Sequence, residues 1–173
     1  MKLRIFAAAL VAVGTCVATA AQAQAPDLNV VPEKMPFNIP FGTPIGLQKA
    51  QAVVAAAIAE ANKRGWPEDF AVVDPSGDLV AFARMDGAQL ASIAIAEHKA
   101  RTAARYRRPT LAFETGVQKF GFNYLLTLDD VIASRGGIPL VQDGKIIGAV
   151  GCSGGTGSQD QTLCEAAAAT IGK

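Results

Sequence analysis

Hydrophobic and polar positions along the chain follow two different periods, and each period predicts a different kind of element. Apolar residues that recur at helical spacing predict helices, whereas short apolar runs bounded by turn residues predict strands. The predicted helices are residues 44–64, 89–106, a short one at 110–119, and one that starts near residue 158. The predicted strands are residues 70–74, 78–84, 138–141 and 145–151, and residues 121–134 are short helical or loop pieces.

Turn residues join the predicted strands in pairs. Pro75, Ser76 and Gly77 separate the first two strands, and Asp143-Gly144 separates the last two. Both sequences favour tight turns, and strands that arrive as hairpins pair antiparallel. We therefore predict a fold of the α/β class, α+β type, in which a central, mainly antiparallel sheet of hairpins is covered by helices in a single layered domain.

Residues 1–23 have the pattern of a secretory signal peptide. Lys2 and Arg4 precede an apolar run, and Ala21-Gln22-Ala23 is typical of a cleavage site. Cleavage after Ala23 would leave 150 residues (173 − 23). We predict a periplasmic or secreted protein without membrane insertion after cleavage, because no later stretch is long and apolar enough to span a bilayer.

The mature chain is predicted to consist of an arm and a domain. Residues 24–42 contain four prolines and little periodicity, which predicts an extended N-terminal arm. Residues 43–173 form the domain. Its first helix is predicted to begin with Thr43 as the cap and Pro44 at the first helical position.

The net charge limits which partners the protein can bind, and the cysteines bear on the compartment in which it works. The full chain has 16 basic and 15 acidic residues, and loss of Lys2 and Arg4 leaves 14 basic residues (16 − 2), so the net charge changes from +1 to −1. A near-neutral chain is a poor ligand for nucleic acid, and we expect no nucleic-acid partner. In an oxidising compartment Cys152 and Cys164 either pair or stay separate as small buried residues; the sequence leaves both alternatives open.

A glycine-rich stretch, residues 148–160, contains the pattern G-x-S-x-G around Ser153, which is typical of a hydrolase nucleophile. The only histidine of the chain, His98, precedes Ser153, whereas the hydrolase order places histidine after serine. We therefore reject a serine hydrolase. The stretch also lacks the lysine of a phosphate loop. We expect the glycines to allow backbone to pass close to backbone or ligand, and we expect Ser158 to cap the last helix.

The second helix carries one lysine on its apolar side. At 100° per residue, Lys99 lies near the middle of the apolar sector beside Ser92. Such a lysine reaches water along its stem, pairs with a carboxylate or lines a pocket. The candidate carboxylates are Asp74, Asp86 and Asp160. A buried structural ion pair and a ligand-binding role both remain open.

The opposite, polar sector of this helix holds His98, Arg101 and Arg105. An imidazole with two guanidinium groups can bind a metal ion that belongs to an anionic ligand, and the simpler alternative is a solvated basic face. The first and second helices are also rich in alanine beyond what one sheet face requires. Small residues on both flanks allow close packing against a second subunit, so we expect a homo-oligomer.

Several stretches together resemble the GlcG/HbpS-like heme-binding protein family, which is also similar to the C-terminal domain of PduO-type proteins. The resemblance covers residues 44–172. The matching stretches are residues 72–80 (VVDPSGDLV), 84–88 (RMDGA), 99–103 (KARTA), 136–140 (GGIPL) and 148–160 (GAVGCSGGTGSQD).

This resemblance implies a small layered fold with an antiparallel sheet, frequent homo-oligomers, and heme as a ligand of some members. It implies a ligand pocket at motif positions, for which we take Arg84, Asp86, Lys99, Thr102, Ser153, Gly154 and Asp160. Axial ligands differ within the family. The candidate heme contacts His98, Arg101 and Arg105, with His98 on the iron, come from residue type alone.

Three functions follow as hypotheses. The first is an exported, oligomeric small-ligand-binding protein, with heme as the expected ligand, in a sensing or accessory role. The second is a small enzyme that acts on an organic acid with Lys99 and Asp86. The third is an accessory subunit without a ligand of its own.

Overall fold

The computed structural model describes residues 26–172, so the predicted signal peptide lies outside the described residues. Within this range the strands form one antiparallel sheet in the order β2-β1-β4-β3, which confirms the α+β prediction. The helices are α1 (Leu47–Arg64), α2 (Ser92–Arg105), α3 (Leu111–Phe120), a 3-10 helix (Asn123–Thr127) and α4 (Gly157–Ala168). The strands are β1 (Asp69–Val73), β2 (Leu79–Arg84), β3 (Gly137–Gln142) and β4 (Lys145–Ser153).

The sheet separates two helical layers. Helices α1 and α4 pack on one face, and α2 packs on the other. Strand β1 is buried along its whole length, and its side chains alternate between the layers because successive residues of a strand point to opposite faces. Phe70 and Val72 join the core beneath α1 and α4, whereas Ala71 and Val73 join the core beneath α2.

Helix α2 lies unusually close to the sheet. A Cβ atom at Gly151 would lie 2.1 Å from the carbonyl oxygen of Ala96, and one at Gly137 would lie 2.3 Å from the carbonyl oxygen of Lys99. Only glycine permits this approach of helix backbone to strand backbone. The prediction that the glycine-rich stretch allows close backbone passage is confirmed.

The alanine-rich side of α2 is covered inside the chain. Ala96, Ala100, Ala103 and Ala104 are fully buried against the sheet. In α1 the same holds for Ala50, Ala57 and Ala61. These alanines serve the close fit of helix and sheet, so they give no support for a subunit contact, and the homo-oligomer stays a prediction.

Two helix starts differ from the prediction. Helix α1 begins at Leu47 rather than at residue 44, because the amide of Ile45 donates to the carbonyl of Ile147 and holds the preceding segment against β4. Helix α4 is capped by Thr156, not Ser158. Thr156 and Gln159 exchange side-chain to backbone hydrogen bonds in a capping box.

The N-terminal arm has no helix or strand between residues 26 and 40, and its end runs beside β4. The amide of Gly42 donates to the carbonyl of Ile146, and the amide of Ile146 donates to the carbonyl of Pro40. Farther out, the guanidinium of Arg108 lies 3.7 Å from the ring centre of Phe37. The arm is therefore attached to the domain at both β4 and the end of α2.

The two cysteines left open by the sequence form a disulfide. Cys152 near the end of β4 bonds to Cys164 of α4, and their Cα atoms are 5.7 Å apart. Both residues are fully buried in the core beneath α1 and α4. The bond ties α4 to the sheet and makes a thiolate ligand at Cys152 incompatible with this structure.

We expect loss of this disulfide to destabilise the domain. The bond closes a loop with a sequence separation of 12 residues, and a loop of this size corresponds to about 2–3 kcal/mol of unfolding free energy. Urea unfolding of the wild type and of the Cys152→Ala/Cys164→Ala variant measures this difference. Reductant should lower the urea midpoint of the wild type and leave that of the double variant unchanged. If the wild type had the same midpoint before and after complete reduction, the prediction would be contradicted.

Candidate functional site

Lys99 is buried and forms an ion pair with Asp160. Its Nζ lies 2.5 Å from the Oδ2 of Asp160 and donates to the carbonyl oxygen of Cys152 at 3.1 Å. The two side chains are 1% and 4% exposed. The sequence left open whether Lys99 reaches water along its stem, pairs with a carboxylate or lines a pocket. The structure shows that it pairs with Asp160, one of the three candidate carboxylates.

Asp160 also orders the glycine-rich stretch. Its Oδ1 accepts a hydrogen bond from the amide of Gly155 at 3.1 Å. Asp160 lies in the first turn of α4, where the helix dipole favours a negative charge. One carboxylate thus neutralises Lys99, holds the loop after β4 and complements the start of α4.

Glu68, immediately before β1, is a second buried carboxyl group at this place. It is fully buried, and no donor among residues 26–172 reaches either of its side-chain oxygens. Burial and the negative charge of Asp160 together raise the pKa of Glu68 to about 8, although the positive charge of Lys99 opposes the shift. Near neutral pH Glu68 therefore carries a proton, which it can donate to the Asp160 carboxylate.

Asp69, the next residue, is buried on the opposite face of the sheet. It pairs with Arg84 of β2 and Ser153 of β4 in the strand register. Burial raises the pKa of the Asp69 carboxyl group, and the charge of Arg84 lowers it. The hydroxyl of Ser153 donates to the hydroxyl of Ser92 at 3.1 Å. Ser153 is therefore a buried structural hydroxyl with Ser92, and not His98, as its partner.

The seven predicted pocket residues do not line one common cavity among those described. Lys99 and Asp160 meet at the end of β4, and Arg84 and Ser153 flank Asp69. The hydroxyl of Thr102 donates to the carbonyl of Asp130 at 2.6 Å and accepts from the amide of Ile132, so it positions the loop before β3. Asp86 is exposed. Most of these residues lie near one end of the sheet but on its two faces, so the single pocket stays a prediction.

A cavity of about 220 Å³ lies beside Glu68. Its walls include Trp66, Pro67, Gln89 and Gln159, and Gly154 is the only one of the seven predicted residues that lines it. Two larger cavities, of about 340 and 320 Å³, lie at the other end of β4. Both contain Lys49, Gln142 and Asp143.

His98, Arg101 and Arg105 lie on one side of α2, away from the sheet. His98 and Arg101 are half-buried, and Arg105 is exposed. Arg101 donates to the carbonyl of Gly77 at 3.3 Å, and Arg105 forms an ion pair with Asp130. The three side chains form one basic face, as the helical period predicts, and two of them hold neighbouring loops.

Sequence reasoning missed Glu68 and Asp69. Two acidic residues directly before the apolar run of residues 70–73 were the available signal, because the start of a central strand is buried with the strand itself. It also missed Glu114 of α3, whose carboxylate accepts from both the side chain and the amide of Arg135. These contacts lower the pKa of Glu114 despite its burial.

The fold and its buried ion pair define a class of small domains in which a four-stranded antiparallel sheet lies between helical layers. Residues 45–169 match the family model described as "Haem degrading protein HbpS-like". The chain belongs to this HbpS-like family. None of the helices within residues 26–172 is long and apolar enough to cross a membrane.

Relatives and solved structures agree with this assignment. Protein GlcG of Escherichia coli strain K12 is 44% identical over 106 residues, which are 61% of this chain and 78% of GlcG. A double mutant of HbpS from Streptomyces reticuli superimposes with a TM-score of 0.71 and 27% identity over 86% of this chain and 100% of that one. A structure of a PduOC:heme complex has a TM-score of 0.67 and 28% identity over 75% of this chain and 96% of that one.

We expect Lys99→Met to be strongly destabilising. It leaves the buried Asp160 without its cation, which typically costs about 3–5 kcal/mol of unfolding free energy. The control is Lys63→Met, which removes a lysine that is 72% exposed and paired with Glu60 on α1, and it should change stability little. Urea unfolding measures both; equal midpoints would contradict a structural role for the Lys99–Asp160 pair.

Proposed function

We propose that this protein binds heme on the basic face of α2 formed by His98, Arg101 and Arg105. The observation that carries the proposal is that the only histidine of the chain lies on one helix face with two arginines. Family membership and the likeness to a PduOC:heme complex support it.

The donor chemistry of this face suits heme. A neutral imidazole is a common axial ligand of heme iron, and guanidinium groups pair with carboxylates such as the propionates. Residues three and seven positions beyond His98 lie about 4.5 and 10.5 Å farther along the helix axis. At about 100° per residue they are rotated from His98 by only about 60° and 20°, so the three side chains share one face. Bound heme would supply an iron centre for redox chemistry or ligand sensing, while His98 would hold the iron and the arginines the carboxylates.

Of the two arginines, Arg105 is the one that can more easily pair with a heme propionate. Its side chain is 50% exposed, and its ion pair with Asp130 lies at the surface. A surface ion pair of this kind is weak, so Arg105 can exchange Asp130 for a propionate at little cost. Arg101 lies closer to the sheet, where its aliphatic stem covers Gly77.

We further propose that the protein is exported and forms homo-oligomers. The leader pattern of residues 1–23 and the disulfide between Cys152 and Cys164 support export, because disulfides persist in oxidising compartments. Exposed apolar side chains around the 3-10 helix support assembly, among them Tyr124 and Leu126, which are 53% and 58% exposed. A helix face covers only one side of a heme, so a second subunit would shield the other side.

Hemin titration of the untagged protein tests the heme site. We expect a saturable Soret shift in the wild type, its loss or an at least tenfold weaker affinity in His98→Ala, and a severalfold weaker affinity in Arg105→Ala. Gln118→Ala, an exposed change on α3, is the control and should bind like the wild type. A full shift in His98→Ala would overturn His98 as the iron ligand, and no shift in the wild type would overturn heme binding.

Expression with the natural leader tests export and assembly. We expect protein in the periplasm that begins at Gln24. Because of the disulfide, its mass should be lower than that of the reduced chain by two hydrogen atoms. Light scattering after size exclusion should give a multiple of the subunit mass. A cytoplasmic chain that keeps residues 1–23 would contradict export, and a subunit-sized particle would contradict assembly.

A further inference from the structure

The cavity beside Glu68 lies at the same end of the sheet as the Lys99–Asp160 pair. Three segments surround it: residues 65–68 before β1, the turn at residues 87–89, and the start of α4 with its preceding glycines. At about 220 Å³ it is large enough for a ligand of a few non-hydrogen atoms. It shares no residue with the basic face of α2.

Glu68 is built into the wall of this cavity. A Cβ atom at Gly154 would lie 2.5 Å from Cγ of Glu68, and one at Gly155 would lie 3.1 Å from Oε1. Side chains at either position would displace the carboxyl group or fill the space before it. The two glycines therefore keep side chains out of the space beside the Glu68 carboxyl group, which itself is fully buried behind the cavity wall.

The cations near Glu68 are already occupied. Lys99 is bound to Asp160 and to the carbonyl of Cys152, and Arg64, whose guanidinium lies 5.0 Å from the ring centre of Trp66, is paired with Glu60. Among the cavity-lining residues within 26–172, Glu68 carries the only ionisable side chain. A buried carboxylate without donors is costly, so a ligand that brings N–H groups and a positive charge would satisfy it.

We propose that this cavity binds a small organic cation, with a primary ammonium group donating to the Glu68 carboxylate and the alkyl part lying against Trp66. An ammonium group supplies three donors, and an aromatic wall adds attraction for a cation. This site is independent of heme binding, so either proposal can fail without the other.

Binding at this site is linked to a proton. The charged groups that act on Glu68 are Asp160 of α4, Lys99 of α2 and, from the opposite face of the sheet, Asp69. Burial and the charge of Asp160 raise the pKa of Glu68 to about 8, although the charge of Lys99 opposes the shift. The ammonium ion binds the ionised form, so below that pKa Glu68 releases its proton as the cation enters. Affinity therefore rises about tenfold per pH unit from pH 6 towards 8 and levels off above the pKa.

Trp66 is the single tryptophan of the chain and lines the cavity, so its indole N–H signal reports binding directly. We would titrate the ¹⁵N-labelled, full-length processed protein with propylammonium chloride at pH 6, 7, 8 and 9, with sodium chloride and 1-propanol as controls. We expect a saturable shift of the Trp66 signal with propylammonium only. Its affinity should be at least tenfold weaker at pH 6 than at pH 9.

Glu68→Gln provides the test at the residue itself. It keeps the size of the side chain and mimics its protonated form, so it should fold, and it should lose the saturable shift at every pH. Glu165→Gln, an exposed carboxylate of α4, should titrate like the wild type. A shift that survives Glu68→Gln, an affinity that is equal at pH 6 and 9, an equal response to 1-propanol, or no shift at any pH would each overturn the proposal.

Discussion

The ammonium group of Lys99 is withdrawn from water and fixes how the two helical layers meet. Lys99 begins on α2, on one face of the sheet, and its Nζ contacts Asp160 of α4, which packs on the other face. A buried lysine is tolerated only with a charged partner and further hydrogen bonds, which Asp160 and the carbonyl of Cys152 supply. Both layers are therefore held at the end of β4, where the chain leaves the sheet.

This contact explains why glycine is concentrated around it. A Cβ at Gly136 would lie 3.1 Å from Nζ of Lys99, 2.8 Å from Cβ of Asp160 and 2.9 Å from the carbonyl oxygen of Cys152. At Gly137 and Gly151 the backbone of α2 itself occupies the space. The glycine-rich pattern that resembles a hydrolase motif thus serves packing around a buried charge. The disulfide from Cys152 to Cys164 joins the same strand end to α4.

The charges of the molecule separate into two environments with different chemistry. The outward face of α2 presents His98 and two arginines to solvent, which suits a large anionic ligand such as heme. The end of the sheet holds the carboxyl groups of Glu68 and Asp160 with one cation, Lys99, and the raised pKa of Glu68 reflects that imbalance. Lys99 directly follows His98 in the sequence, but α2 turns His98 outward and Lys99 inward.

The sequence by itself determined the elements, the two hairpins, the α+β class and the position of Lys99 on the apolar side of α2, because helical period and turn residues are local properties. The order β2-β1-β4-β3, the choice of Asp160 over Asp74 and Asp86, and the pairing of Cys152 with Cys164 were decided only by the tertiary structure. Each depends on which distant segments lie side by side. The role of Glu68 likewise requires α4 and the glycines to enclose it, since a carboxyl group changes its pKa only when neighbouring segments remove its water.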